Sequence, residues 1–114
     1  MAGGEVAVRL NQLECLVLLA LARLGEDAYA GTVRDDVTES GRRAPSVAGT
    51  YAALERLVSA RLARVWLSDP RPEPGGRARR HYAITPAGLT WLRDERARVE
   101  TAWRDIATKG RRAR

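Results

Sequence analysis

Between residues 69 and 78 the chain reads DPRPEPGGRA, with proline at 70, 72 and 74 and glycine at 75 and 76. Proline fixes its own φ, lacks an N–H and pushes the preceding residue toward extended geometry. No helix or inner strand can therefore run through this stretch. Alternating prolines stiffen it toward polyproline geometry, and the glycine pair permits a turn. Short alternating runs flank it. ARVWLS (63–68) sets Val65 and Leu67 on one face, and RRHYAIT (79–85) sets Tyr82 and Ile84 on one face. Two such runs around a turn predict an antiparallel hairpin of half-buried strands with a long, basic tip.

Three helical patterns precede the hairpin. In NQLECLVLLALARLG, Asn11 can cap, with Glu14 three residues on, and Leu13, Leu16, Val17, Ala20, Leu21 and Leu24 recur at helical spacing before Gly25. Leu18 and Leu19 widen that stripe, so the helix is expected to be buried on more than one side. In EDAYAGTVRDDVTESG, Asp27 is the expected cap of a helix from about Ala28 to Glu39, ending at Gly41, with Tyr29, Val33 and Val37 inward. Pro45 then breaks the chain, and Ser46 caps a third helix whose core stripe is Val47, Leu54, Leu57 and Val58. Its first turns are small (Ala48, Gly49, Thr50, then Tyr51). A helical glycine costs about 1 kcal/mol against alanine, which suggests that something approaches the backbone closely there.

After the hairpin, Thr85 and Pro86 open a last helix, where the missing proline N–H costs nothing. Leu89, Leu92, Arg96, Val99, Trp103 and Ile106 line one of its faces. A terminal helix with its own apolar stripe predicts a partner surface, most simply a second copy of the chain. The expected division is residues 1–84 as one unit and 85–114 as a dimerisation helix with a basic tail, the two forming one structural whole.

Charge is unevenly placed. The chain carries a net +6, yet residues 1–41 hold three arginines against seven acids, whereas residues 42–80 hold nine arginines against Glu55, Asp69 and Glu73. Nineteen of the twenty bases are arginine, whose planar fork suits phosphate and guanine, although genomic GC bias accounts for the same ratio. The clustering is not explained by that bias. It predicts one face able to approach a polyanion and another that cannot.

The lone Cys15 allows no intrachain disulfide and suits a reducing cytoplasm. It reads first as a small buried hydrophobe, with a redox-sensing thiol as the alternative. No signal peptide or membrane-spanning run is visible. His81 is the only histidine, so neither zinc spacing nor a nucleophile–base pair can be assembled, and no glycine-rich phosphate loop occurs. No cofactor, metal or enzymatic activity is expected.

Three helices followed by a two-stranded wing is the winged helix-turn-helix plan, mainly α with a β wing, here with a C-terminal dimerisation helix. The third helix of such a plan enters the major groove, and the wing meets backbone or minor groove. Tyr51, Leu54, Arg56 and Leu57, paired with GGRARRHYAITPAG (Gly75, Gly76, Arg77, Arg79, Tyr82, Ile84, Thr85, Gly88), carry a more specific likeness. With the opening QLECLVLLALARLGEDAYAGTV they make residues 10 to 108 resemble PadR-type transcriptional regulators. Val47-Ala48-Gly49-Thr50 departs from the P-G-T-L usual before the family's tyrosine, and the single last helix resembles the family's short branch.

The resemblance implies a dimeric repressor on an inverted-repeat operator. The candidate DNA-binding residues are Ser46, Gly49, Thr50 and Tyr51 on the third helix, Arg42 and Arg43 before it, and Arg77, Arg79 and Arg80 on the wing. Arg56 reads either as a backbone contact or, preferably, as a structural ion-pair partner. Leu89, Leu92, Val99, Trp103 and Ile106 are the candidate dimerisation residues. The resemblance also gives Trp91 and Trp103 a second reading beside packing, as walls of a site for a flat aromatic effector. Trp66, on the strand face opposite Val65 and Leu67, is expected against the terminal helix. Two alternatives stand beside the regulator: a winged helix that binds an acidic protein, and a non-specific nucleic-acid binder.

Overall fold

A computed structural model describes residues 8–40, 43–68 and 79–112, with side chains as far as 109. The elements run α1 (Gln12–Leu24), a 3-10 turn (Gly25–Asp27), α2 (Ala30–Glu39), α3 (Val47–Ser59), β1 (Ala63–Leu67), β2 (Arg80–Ile84) and α4 (Pro86–Arg112). The chain is thus mainly α with a two-stranded antiparallel wing and a C-terminal helix, as the sequence predicts.

The α1 start is the expected capping box. Asn11 Oδ1 accepts from the Glu14 N–H at 2.8 Å, and Glu14 Oε1 accepts from the Asn11 N–H at 2.9 Å. Gly25 closes the helix at φ 58°, a conformation that favours glycine. Val17, Leu18 and Leu21 are fully buried, and with Val33, Leu54 and Leu57 they form the centre of the three-helix core.

α2 begins later than the Asp27 cap predicts. Residues 25–27 form the 3-10 turn, Ala28 is extended, and its carbonyl accepts from the Tyr82 N–H at 2.8 Å. Pairing with β2 therefore competes with helix formation at Ala28 and wins. The cap passes to Tyr29, whose N–H donates to Thr32 Oγ1 at 3.1 Å. At the other end, Ser40 is the C-cap. The expected stop at Gly41 lies outside the described residues.

In α3, Ser46 Oγ accepts from the Gly49 N–H at 2.9 Å, the predicted cap. Leu54 and Leu57 are fully buried, but Val47 is 58% exposed and does not belong to the core stripe. It occupies the first helical position, ahead of the turn where α3 meets the other helices. Between α3 and β1, Arg61 takes φ 62° and its carbonyl accepts from the Thr85 hydroxyl at 2.8 Å.

The strands pair with Ala63 opposite Ile84, Val65 opposite Tyr82, Trp66 opposite His81 and Leu67 opposite Arg80. One face is buried only at its inner end. Ala63 and Tyr82 are buried, whereas Val65 and Leu67 are 43% and 64% exposed, against the expectation of a half-buried strand. An open groove of about 540 Å³ separates them from Glu55, Val58 and Ser59 of α3, so the outer wing has no helix to cover it. Trp66, on the other face, stacks on His81 and shares a cavity with Leu21 and Ala22 of α1. It does not cover the terminal helix.

α4 leaves β2 after a single residue, Thr85. The Gly88 N–H donates to Thr85 Oγ1 at 3.1 Å, which caps the helix. Leu92 packs on the core, and Trp91 Nε1 donates to the Val8 carbonyl at 2.8 Å. Further along, Val99, Trp103 and Ile106 are exposed on one stripe. No helix of the described residues is long and apolar enough to cross a membrane.

Candidate nucleic-acid interface

The start of α3 projects neutral side chains outward. Ser46, Ala48 and Tyr51 are exposed, Tyr51 at 40%, and no acid occupies the first turn. The carboxylates of the first third lie mostly on and around α1 and α2, and Asp36 there is paired with Arg23, whose charge it stabilises through their hydrogen bond. The start of α3 thus presents the positive end of its helix dipole without an acid in its first turn.

Two predicted contacts are placed differently. Thr50 is 1% exposed, and its hydroxyl donates to the Ser46 carbonyl at 2.9 Å, so it packs inward and is not available to a base or phosphate. The sequence signal misled because Thr50 neighbours the outward Tyr51, and one helical step of ~100° separates the two. Gly49 is explained by the cap itself. A Cβ built there meets Ser46 Oγ at 2.9 Å, so the missing side chain makes room for the capping hydroxyl.

Arg43 and Arg80 are exposed, and neither is in a salt bridge among the described residues. Arg42 and Arg77 lie outside the described residues. Arg79 is half-buried, with its guanidinium carbon 4.2 Å from the centre of the Tyr29 ring. Its backbone is held by Ser68, whose Oγ accepts from the Arg79 N–H at 3.0 Å. Arg56 takes the structural role preferred from the sequence, although its partner is a carbonyl and not an acid: Nη2 donates to Arg9 O at 3.2 Å.

Sequence reasoning missed two arginine contacts, one beside the start of α3 and one on the back of the wing. Arg34 of α2 donates from Nε to the Pro45 carbonyl at 2.7 Å, directly before the α3 cap. No local pattern announces a contact that crosses the interhelical turn. Arg64 lies 4.5 Å from the Trp66 ring centre, and its two-residue spacing from Trp66 on a strand was the readable clue.

Between α1 and α4 lies a mostly apolar groove rimmed by Arg93, Glu95, Arg96 and Glu100. Cys15, Leu19, Leu92 and Val99 line this groove of about 460 Å³. Burial first, and Glu95 second, push the Cys15 thiol above its ordinary range. Glu95 is itself held below the usual carboxylate range by its hydrogen bond with Arg98. Trp91 and Trp103 do not form one site within the chain. Trp91 spends its N–H on Val8, and Trp103 is 68% exposed.

The fold is a winged helix-turn-helix, and several solved PadR-type regulators share it, in agreement with the likeness seen in the sequence. A PadR family regulator from Clostridium difficile R20291 superposes with a TM-score of 0.66 at 22% identity, covering 86% of this chain and 93% of its own. A PadR family regulator from Eggerthella lenta matches at 0.66 and 25% identity, covering 82% and 79%. Bordetella bronchiseptica BpsR, whose DNA binding is regulated by 6-hydroxynicotinic acid, matches at 0.62 and 18%, covering 90% and 69%. No family model matches the sequence, and no curated protein matches it.

Proposed function

We propose that this chain is a PadR-type, sequence-specific DNA-binding transcription regulator that acts as a homodimeric repressor. The observation that carries the reading is the acid-free, outward start of α3, with Ser46 and Tyr51 exposed and, beside it, the exposed Arg43 and Arg80, which form no salt bridge among the described residues. In this reading α3 lies in the major groove and Tyr51 meets the duplex. Arg43 and Arg80, with Arg42 and Arg77, hold phosphates. Ser46 caps α3 and adds a phosphate contact. Residues 1–84 form the reading head, and residues 85–114 pair with a second copy.

Dimerisation is supported by the α4 stripe. Val99, Trp103 and Ile106 are 38%, 68% and 62% exposed, and the α1–α4 groove continues their surface. Two copies related by a twofold axis would cover this stripe and place two α3 helices on half-sites about one helical turn, or a multiple of it, apart. The effector, if the chain takes one as BpsR does, would be a small aromatic compound between α4 helices. Trp103 is exposed enough to form its wall.

The test is binding to an inverted repeat from the chain's own promoter and to random duplex, over a salt series. A repressor prefers the operator by about a thousand-fold or more. Each phosphate contact steepens the logarithmic salt slope by about one unit. Equal binding to both duplexes would replace the proposal with non-specific nucleic-acid binding. No binding at low salt would replace it with a protein-interaction module.

A further inference from the structure

The wing carries a ladder of five side chains that leads back to the helix-turn-helix. On the face away from α3, the Arg64 guanidinium sits 4.5 Å from the Trp66 ring centre. Trp66 stacks on its cross-strand partner His81, with centroids 5.6 Å apart and planes 21° apart. His81 meets the Tyr29 ring edge-on at 6.2 Å and 71°. Arg79 closes the series 4.2 Å from the Tyr29 centroid. Tyr29 is the N-cap residue of α2, so its ring is fixed to the start of the helix that precedes α3.

Main-chain hydrogen bonding and this ladder join the wing to the start of α2. The Tyr82 N–H donates to Ala28 O at 2.8 Å next to the ladder, which fixes one point of β2 to the approach to α2. The ladder supplies a second line of attachment. It is built from rings whose edge-to-face and stacked geometries are individually modest and collectively directional. On the opposite face of the same strand, Arg80 points out beside the groove to α3.

We propose that Tyr29 and His81 are positioning residues that lock the wing to α2 and so set where Arg80 meets the duplex. This rests on the DNA-binding reading above. It also reassigns Arg79, which serves as the end rung of the ladder and not as a free phosphate contact. The ladder acts at the back of the wing, while the reading surface lies at its front.

Because His81 is the only histidine, its two imidazole carbon-bound protons give a single pair of NMR signals for the whole chain. In the full chain without DNA, Tyr29→Phe should leave those signals near their wild-type positions. Tyr29→Leu should move them toward free-imidazole positions and speed exchange of the Arg79 N–H. With operator DNA, Tyr29→Leu and His81→Leu should each weaken binding about tenfold, while Tyr29→Phe retains wild-type affinity. Combining Tyr29→Leu with Arg80→Ala should cost little more than either alone, since both remove the same contact. A merely structural tyrosine would give additive losses.

Additive losses, or unchanged affinity in a Tyr29→Leu protein whose His81 signals have moved, would overturn the positioning role. If Tyr29→Leu does not fold, His81→Leu with Arg80→Ala makes the same cycle. Wild-type protein that binds no duplex would remove the regulator reading and, with it, the positioning of Arg80. The lock itself would then still be decided without DNA: unchanged His81 signals and Arg79 exchange in Tyr29→Leu would refute it.

Discussion

Arg34 of α2 reaches across the interhelical turn and donates from Nε to the carbonyl of Pro45 at 2.7 Å, one residue before Ser46 caps α3. A charged donor thus ties the entrance of one helix to the body of another. Arg34→Ala should lower stability by about 1.5–3 kcal/mol, the range for a hydrogen bond to a charged group. Calorimetry should show a fall of several degrees in the thermal midpoint, and operator binding should weaken as α3 loses its fixed start.

Ser46 offers a way to separate capping from DNA contact. Ser46→Ala removes the acceptor for the Gly49 N–H and should cost about 1 kcal/mol. Ser46→Asp keeps a cap acceptor and suits the helix dipole, so stability should hold. Its new charge would face phosphates, so operator affinity should fall at least about tenfold. Unchanged affinity would mean that the duplex lies elsewhere.

Gly88 sits in the first turn of α4 directly beneath the Leu62 carbonyl. A Cβ there would collide with that oxygen and come within 2.6 Å of Ile84 Cγ1. The obstacle is main chain, which cannot swing aside, so the helix must shift. Gly88→Ala should destabilise the fold by about 2–4 kcal/mol despite alanine's better helix propensity, as denaturant titration would show.

The α4 stripe makes a simple assembly test. Val99→Asp together with Trp103→Asp should release monomers in sizing and light scattering. With only one half-site held, operator binding should be lost. Both residues are already exposed within one chain, so the fold of residues 8–92 should survive, with a native-like circular dichroism spectrum.

Cys15 titrates with a definite sign. Burial and Glu95 raise its pKa, so the thiolate is scarcer near pH 8 than in a free thiol. Iodoacetamide should react slowly there, and its rate should still be climbing above pH 9. Because the folded thiol is held above its unfolded value, ionising it at high pH costs stability. Loss of Glu95 should bring the reactivity profile partway back.

The helices and the hairpin were readable because they rest on local rules. Asn11 with Glu14, Ser46 before a small turn, and Thr85 before Pro86 each announce a helix start within four residues. What was not readable depends on partners far along the chain. Ala28 looked helical and became extended because Tyr82 claims its carbonyl. Val65 and Leu67 alternate as a half-buried strand would, yet among the described residues no element covers them. Thr50 and Arg79 looked free because their inward or sideways orientation is set by the helix turn and by Tyr29. Tyr51, Arg43 and Arg80 are exposed as their positions in the sequence suggest, whereas the reach of Arg34 to Pro45 had no local signal.

Thr85 is the only residue between β2 and α4, and it makes four hydrogen bonds. Its N–H donates to Leu62 O at 3.0 Å, its hydroxyl donates to Arg61 O and accepts from the Gly88 N–H, and its carbonyl accepts from the Leu89 N–H. A joint so short and so fully bonded has no slack. Any tilt that a neighbouring copy imposes on the long helix must appear as a tilt of the hairpin, undamped, because no linker exists to absorb it.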